Sequence, residues 1–205
     1  MNYLPQTAKV IISSILSITA VFLFLRYRGF TRRQCMIAML LSTAGDFFMT
    51  DTFHMGSAAV YPGAAFFIAA HVVYALCFMK AGKMKEYPYK NKGLVCGVLL
   101  TVAAAAALAV ITFNADEPQG IMFCLIMVYL AVIGWNLSSQ FSYAYSEKGS
   151  GRCLYAGMTL FLVSDFVVFL PMLTLCREYN DLVWATYIPA QLLIILFNDN
   201  FGKDQ

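Results

Sequence analysis

The sequence predicts an all-α protein, a polytopic transmembrane bundle of about seven helices, and three observations predict it. Hydrophobic residues make up 60% of the chain and charged residues only 12%, with a mean hydropathy of +0.69. A soluble domain carries roughly a quarter charged residues. The apolar residues fall in seven long runs parted by short polar clusters, and the runs lack the period-2 alternation of a β-barrel, which leaves helices as the spanning structure. A span needs about 20 residues to cross roughly 30 Å of hydrocarbon. The 205 residues hold seven spans only with short loops, so residues 1–205 read as one transmembrane domain.

The runs lie near 9–25, 35–51, 57–79, 94–113, 119–142, 153–175 and 182–197. The first ends at Arg26-Tyr27-Arg28 with no small-x-small cleavage site, which predicts a retained helix and not a signal peptide. Arg26, Arg28, Arg32 and Arg33 follow the first run, Lys80, Lys83, Lys85, Lys90 and Lys92 the third, and Lys148 and Arg152 the fifth. With Lys203 in the tail they share one side, and Lys9 and Arg177 take the other. Enrichment of cations in cytoplasmic loops then places the N-terminus outside and the C-terminus in the cytoplasm.

The net charge of +3 needs no nucleic acid, although the same lysines would also attract anionic membrane lipids. Cys35, Cys77, Cys96, Cys124, Cys153 and Cys176 have no C-x-x-C spacing and read as free thiols acting as small hydrophobes. Gly93-x-x-x-Gly97 and the alanines from Ala103 to Ala107 permit close helix approach, either inside the chain or in a homodimer.

Two acids interrupt the apolar runs well away from their ends: Asp46 in Gly45-Asp46-Phe47-Phe48 of the second, and Asp165 in Ser164-Asp165-Phe166-Val167 of the sixth. An aspartate at the centre of a spanning helix costs roughly 2.5 to 3.5 kcal/mol on insertion. Two of them imply a polar cavity or mutual partners. Other helices carry polar groups at comparable depth: His71 and Tyr74 on the third, Asn136 on the fifth, Tyr187 and Gln191 on the seventh. His71 and Tyr74 are spaced i, i+3 and Tyr187 and Gln191 i, i+4, so each pair shares a face. Asn136 taken alone also reads as a hydrogen-bonded link between helices. Pro189, just before Gln191, frees a backbone carbonyl one turn back, which suits a helix facing protein or a wet cavity.

The second and third helices echo the sixth and seventh. Asp46 is followed by Ala70-His71-Val72-Val73 and Asp165 by Ala190-Gln191-Leu192-Leu193 at nearly the same spacing, which predicts parallel internal repeats with both acids near a common axis.

These residues resemble the YhhN-type membrane proteins, whose characterised vertebrate members are lysoplasmalogenases. The resemblance rests on Gly45-Asp46, on Ala70-His71-Val72-Val73-Tyr74, on Leu160-Phe161-Leu162-Val163-Ser164-Asp165, and on Tyr187 to Gln191, in that order along most of the chain. The family has eight helices and a Lys-Pro pair opening its second; here Lys9 is followed by Val10 and seven helices are evident. The resemblance implies site residues Asp46, His71, Tyr74, Asp165 and Gln191, with Asn136 and Tyr187 added from the residues alone. It also implies a lysophospholipid substrate and no cofactor, and the expected location is a bacterial cytoplasmic membrane.

The implied reaction is hydrolysis of the vinyl ether of a lysoplasmalogen to a fatty aldehyde and a glycerophospho-alcohol. It begins with protonation of a vinyl carbon and passes through an oxocarbenium ion. Two buried carboxyls suit it, one giving the proton and the other stabilising the cation and directing water, as in glycoside hydrolysis. A proton-coupled carrier or lipid transporter using the same acids is the alternative expectation. A metal-dependent hydrolase would need Asp46, His71 and Asp165 to converge as three ligands.

Overall fold

Lys9, Ser13, Leu16, Ser17 and Ala20 recur at helical spacing and form the buried face of α1 (Gln6–Tyr27). Ile11, Ile15, Ile18, Phe22 and Leu25 line its exposed face, the arrangement of a helix with lipid on one side. The computed structural model describes residues 5–81, 92–113, 120–146, 151–174 and 180–197. After α1 come α2 (Phe30–Met49), a 3-10 turn at Gly56–Ala59, α3 (Val60–Ala81), α4 (Lys92–Phe113), α5 (Gly120–Ser146), α6 (Gly151–Thr174) and α7 (Asn180–Phe197). The chain is thus an all-α bundle of seven helices, with no strand among the described residues.

Among the described residues, three segments are long and apolar enough to cross a membrane: Gln6–Tyr27, Gly56–Lys80 and Cys124–Ala144. Leu94–Val110 and Leu182–Phe197 are shorter apolar stretches. α2 is more polar because it carries Arg32, Arg33 and Asp46 within its 20 residues.

Helix ends differ from the sequence reading where local chemistry intervenes. α2 begins at Phe30, so Arg32 and Arg33 lie inside it and not in a loop. It stops at Met49, short of the expected residue 51. Thr50 turns its hydroxyl onto the Asp46 carbonyl at 2.8 Å, Asp51 takes a left-handed φ of 53°, and its carboxylate accepts the Gly56 N–H at 2.9 Å. The Thr50 N–H closes the last helical bond onto the same Asp46 carbonyl at 2.9 Å, and the Asp51 carboxylate holds the turn that follows in place of further helix.

Helices that follow one another in the chain and pack together run in opposite directions. Ser13 meets Asp46 and Ser17 meets Met39; Cys77 meets Thr31; Tyr155 meets Phe141; Ser164 meets Val183. This alternation gathers Arg26, Arg28, Arg32, Arg33, Lys80, Lys92 and Arg152 at one end of the bundle. Arg26 and Arg32 stack on Tyr27 there, and Arg33 and Lys80 on Phe30. Lys83, Lys85, Lys90, Lys148, Arg177, Lys203 and Cys176 lie outside the described residues. Cys35, Cys77, Cys96, Cys124 and Cys153 form no disulfide with one another.

Gly97 packs α4 against α5 within the chain. A β-carbon on it would stand 2.7 Å from Ser138 Cα and 2.9 Å from its backbone nitrogen, and backbone cannot yield as a flexible side chain does. Gly134 faces Thr101 across the same seam. Gly97→Ala is therefore expected to destabilise the bundle by about 1–3 kcal/mol, the usual cost of overpacking. A thermal melt of the detergent-purified variant checks this, and an unchanged midpoint would show that the seam is looser than described.

Candidate functional site

Each buried acid is built into a separate cluster, and helix geometry dictates both. On α2, Met39, Thr43 and Asp46 share one buried stripe facing α1. Ser13 and Ser17 of α1 lie opposite. The Ser13 hydroxyl donates to Asp46 Oδ2, and Tyr187 of α7 donates to the same oxygen at 2.8 Å. Thr43 Oγ1 is 2.6 Å from Ser17 Oγ and donates to the Ser13 carbonyl at 3.2 Å. Hydroxyls thus meet the carboxyl from α1 and α7, while Thr43 ties the α1 hydroxyls to α2.

Close approach of α3 completes this side. A β-carbon at Gly45 would stand 3.0 Å from the Phe67 ring and 3.2 Å from the Gly63 carbonyl. The glycine before Asp46 thereby lets α3 seal the helix that carries the acid.

Asp165 is partnered by a ring system. His71 Nε2 of α3 lies 3.3 Å from Asp165 Oδ2, an ion-pair distance at an angle too oblique for a well-formed hydrogen bond. The Tyr129 hydroxyl of α5 stands 3.5 Å from His71 Nε2. The other ring nitrogen, Nδ1, is 2.8 Å from Asn136 Nδ2. Gln140, one turn along α5, donates from Nε2 to Asn136 Oδ1 at 3.0 Å. Tyr129, Asn136 and Gln140 recur at i, i+7 and i+11 and so share a face of α5.

The two clusters touch through aromatic rings. Phe161 packs edge-on against His71 with centroids 4.8 Å apart and against Tyr187 at 5.6 Å. Tyr74 donates to Gln191 Oε1 at 3.2 Å, which ties α3 to α7 one turn from Tyr187. The partnering is crossed between the helix pairs. Asp46 of α2 bonds to α7, and Asp165 of α6 faces α3, so each acid is held by the second helix of the other pair. All the residues singled out in the sequence, Asp46, His71, Tyr74, Asn136, Asp165, Tyr187 and Gln191, are buried and belong to these clusters. Few mobile water dipoles surround them, so a charge formed here acts on its neighbours far more strongly than it would in water.

Ser13, Ser17, Thr43, Tyr129 and Gln140 are site residues that the sequence reading passed over. Their signal was the i, i+4 spacing of Ser13 with Ser17 and of Asn136 with Gln140. Lys9, read in the sequence only as a cation of one side, is also buried. It is 2% exposed, one turn before Ser13, with its ammonium 5.8 Å from the Trp184 ring centroid. Trp184 in turn packs edge-on against Tyr187 at 5.5 Å, so this lysine stands behind the Asp46 cluster. Among the described residues no three of His, Cys, Asp and Glu converge as metal ligands; Asp46 binds Ser13 and Tyr187 while His71 faces Asp165.

Apolar spanning segments around an interior of hydrogen-bonded acids, imidazole and phenols define a helical membrane protein with a polar site inside its bundle. The chain belongs to the YhhN family, whose model matches residues 6–197. No curated protein and no solved structure gave a significant match.

Proposed function

We propose that this protein is a membrane-embedded hydrolase of lysophospholipids that cleaves the vinyl ether of a lysoplasmalogen, with Asp46 and Asp165 as its acid and base pair. The observation that carries the reading is two buried carboxyls, each supplied with donors from different helices, whose clusters meet where Phe161 packs on both His71 and Tyr187. One carboxyl adds a proton to the vinyl carbon remote from oxygen. The adjacent carbon becomes an oxocarbenium centre, which the other carboxylate stabilises while it draws a proton from attacking water. The carboxyl that took the water proton then gives it to the departing glycerol oxygen while the first carboxylate takes the hemiacetal hydroxyl proton. This breaks the C–O bond, releases a fatty aldehyde and a glycerophospho-alcohol, and resets both groups. Aromatic walls serve this chemistry because they exclude bulk water while presenting π faces to a developing cation. In the proposed orientation the cation-rich end faces the cytoplasm.

Carbon protonation has a signature that proton-coupled transport lacks. Turnover in D2O is expected to place one deuterium on the carbon next to the aldehyde. A saturated 1-O-alkyl lysophospholipid, which has no double bond to protonate, is expected to survive intact. Mass spectrometry of the products checks both, in detergent with no proton gradient. Cleavage of the alkyl ether at a similar rate would sink the oxocarbenium route.

A further inference from the structure

Gln140, Asn136 and His71 form a directed chain that ends at Asp165. Gln140 donates to the Asn136 carbonyl oxygen at 3.0 Å, which turns the Asn136 amide nitrogen toward His71 Nδ1 at 2.8 Å. An amide nitrogen only donates, so Nδ1 must be the bare, accepting nitrogen of the ring. The ring proton then lies on Nε2, which is 3.3 Å from Asp165 Oδ2. All four side chains of the chain are buried, where water cannot rescue a mismatched donor.

We propose that Asn136 and Gln140 are positioning residues that hold His71 as the neutral tautomer protonated on Nε2, the ring nitrogen that stands beside the carboxyl of Asp165. The catalytic consequence rests on the hydrolase reading; the tautomer does not. A ring fixed in this way presents a hydrogen-bond donor to Asp165 without requiring an imidazolium, and turning the Asn136 amide over would withdraw it. The relation resembles second-layer partners that fix the tautomer of a catalytic or ligating histidine.

The chain contains two histidines, so uniform 15N-histidine labelling gives two imidazoles. His54 lies in an exposed turn with φ of 56°, a conformation asparagine accepts, and His54→Asn leaves the His71 signals alone. Nitrogen chemical shifts and two-bond couplings then report which nitrogen carries the proton. The expected result for the wild type is Nε2–H with Nδ1 bare. Asn136→Asp presents only acceptors to Nδ1 and is expected to reverse the tautomer. Gln140→Leu frees the amide to turn and is expected to give a mixture.

Turnover is read beside the spectrum. Asn136→Asp is expected to lower kcat on the order of 10²-fold with KM within about twofold, a split that general loosening of the helices would not produce. A wild-type ring protonated on Nδ1 or on both nitrogens overturns the proposal, as does an unchanged tautomer in Asn136→Asp. The wild-type spectrum decides even where a variant does not fold. Nε2–H together with no aldehyde release upholds the positioning and rejects the hydrolase reading; aldehyde release with Nδ1–H does the reverse.

Discussion

Asp165→Asn is expected to lower aldehyde release by about 10³-fold or more while the helices stay folded. The amide has the size and shape of the acid, so packing against Phe161 and α3 is kept. What disappears is proton exchange at that position, and positioned acid or base groups contribute about 10²- to 10⁴-fold each. The amide puts an NH2 where the acid has its second oxygen, and an NH2 turned toward His71 meets the ring N–H donor against donor. The neutral side chain relieves the membrane cost of an ionisable group, which offsets that clash, so the melting midpoint is expected to stay close to that of wild type. Activity within about twofold of wild type would remove Asp165 from the chemistry.

Asp46→Asn is expected to be as severe in turnover and gentler in structure. Ser13 and Tyr187 both donate to Oδ2, and an amide oxygen in the same place accepts both. Loss of activity in this variant therefore reports loss of the carboxyl itself. Single-donor variants supply the contrast. Ser13→Ala and Tyr187→Phe each remove one hydrogen bond and leave the acid, so each is expected to cost about 10-fold, on the scale of one charge-assisted bond at roughly 1.5–3 kcal/mol. If either matched Asp46→Asn, the hydroxyl and not the carboxyl would be the essential group.

Much of this was legible because membrane sequence is sparse in polar residues. Apolar runs fixed the helices, and two aspartates inside them marked the site, since lipid makes a misplaced acid costly. Helix ends were less legible. The stop of α2 depends on the Thr50 hydroxyl and the left-handed Asp51, which leave no mark on hydropathy. Ser13, Ser17 and Thr43 escaped notice because hydroxyls in spanning helices usually satisfy their own backbone one turn back, as Thr159 does with the Tyr155 carbonyl at 2.9 Å. Their role appears only when α1 lies against α2.

The burial of Lys9 escaped notice for a similar reason. A cation near a helix end reads as a topology signal, and its burial beside Trp184 depends on where α7 packs. The crossed partnering of Asp46 with α7 and Asp165 with α3 was likewise beyond a repeat read within each helix pair. Gly97 shows the limit of motif reading. Gly93-x-x-x-Gly97 suits a dimer and an internal seam equally, and only the position of Ser138 reveals that Gly97 serves the seam.

Aldehyde release from a vinyl-ether lysophospholipid by detergent-purified protein, with wild type beside Asp46→Asn and Asp165→Asn, tests the proposed acid and base pair most directly. Release by the wild type that vanishes in both variants, all three folded by circular dichroism, is the expected result. No release from folded wild type across a range of headgroups would contradict it, and would move the two acids from hydrolysis to proton-coupled transport.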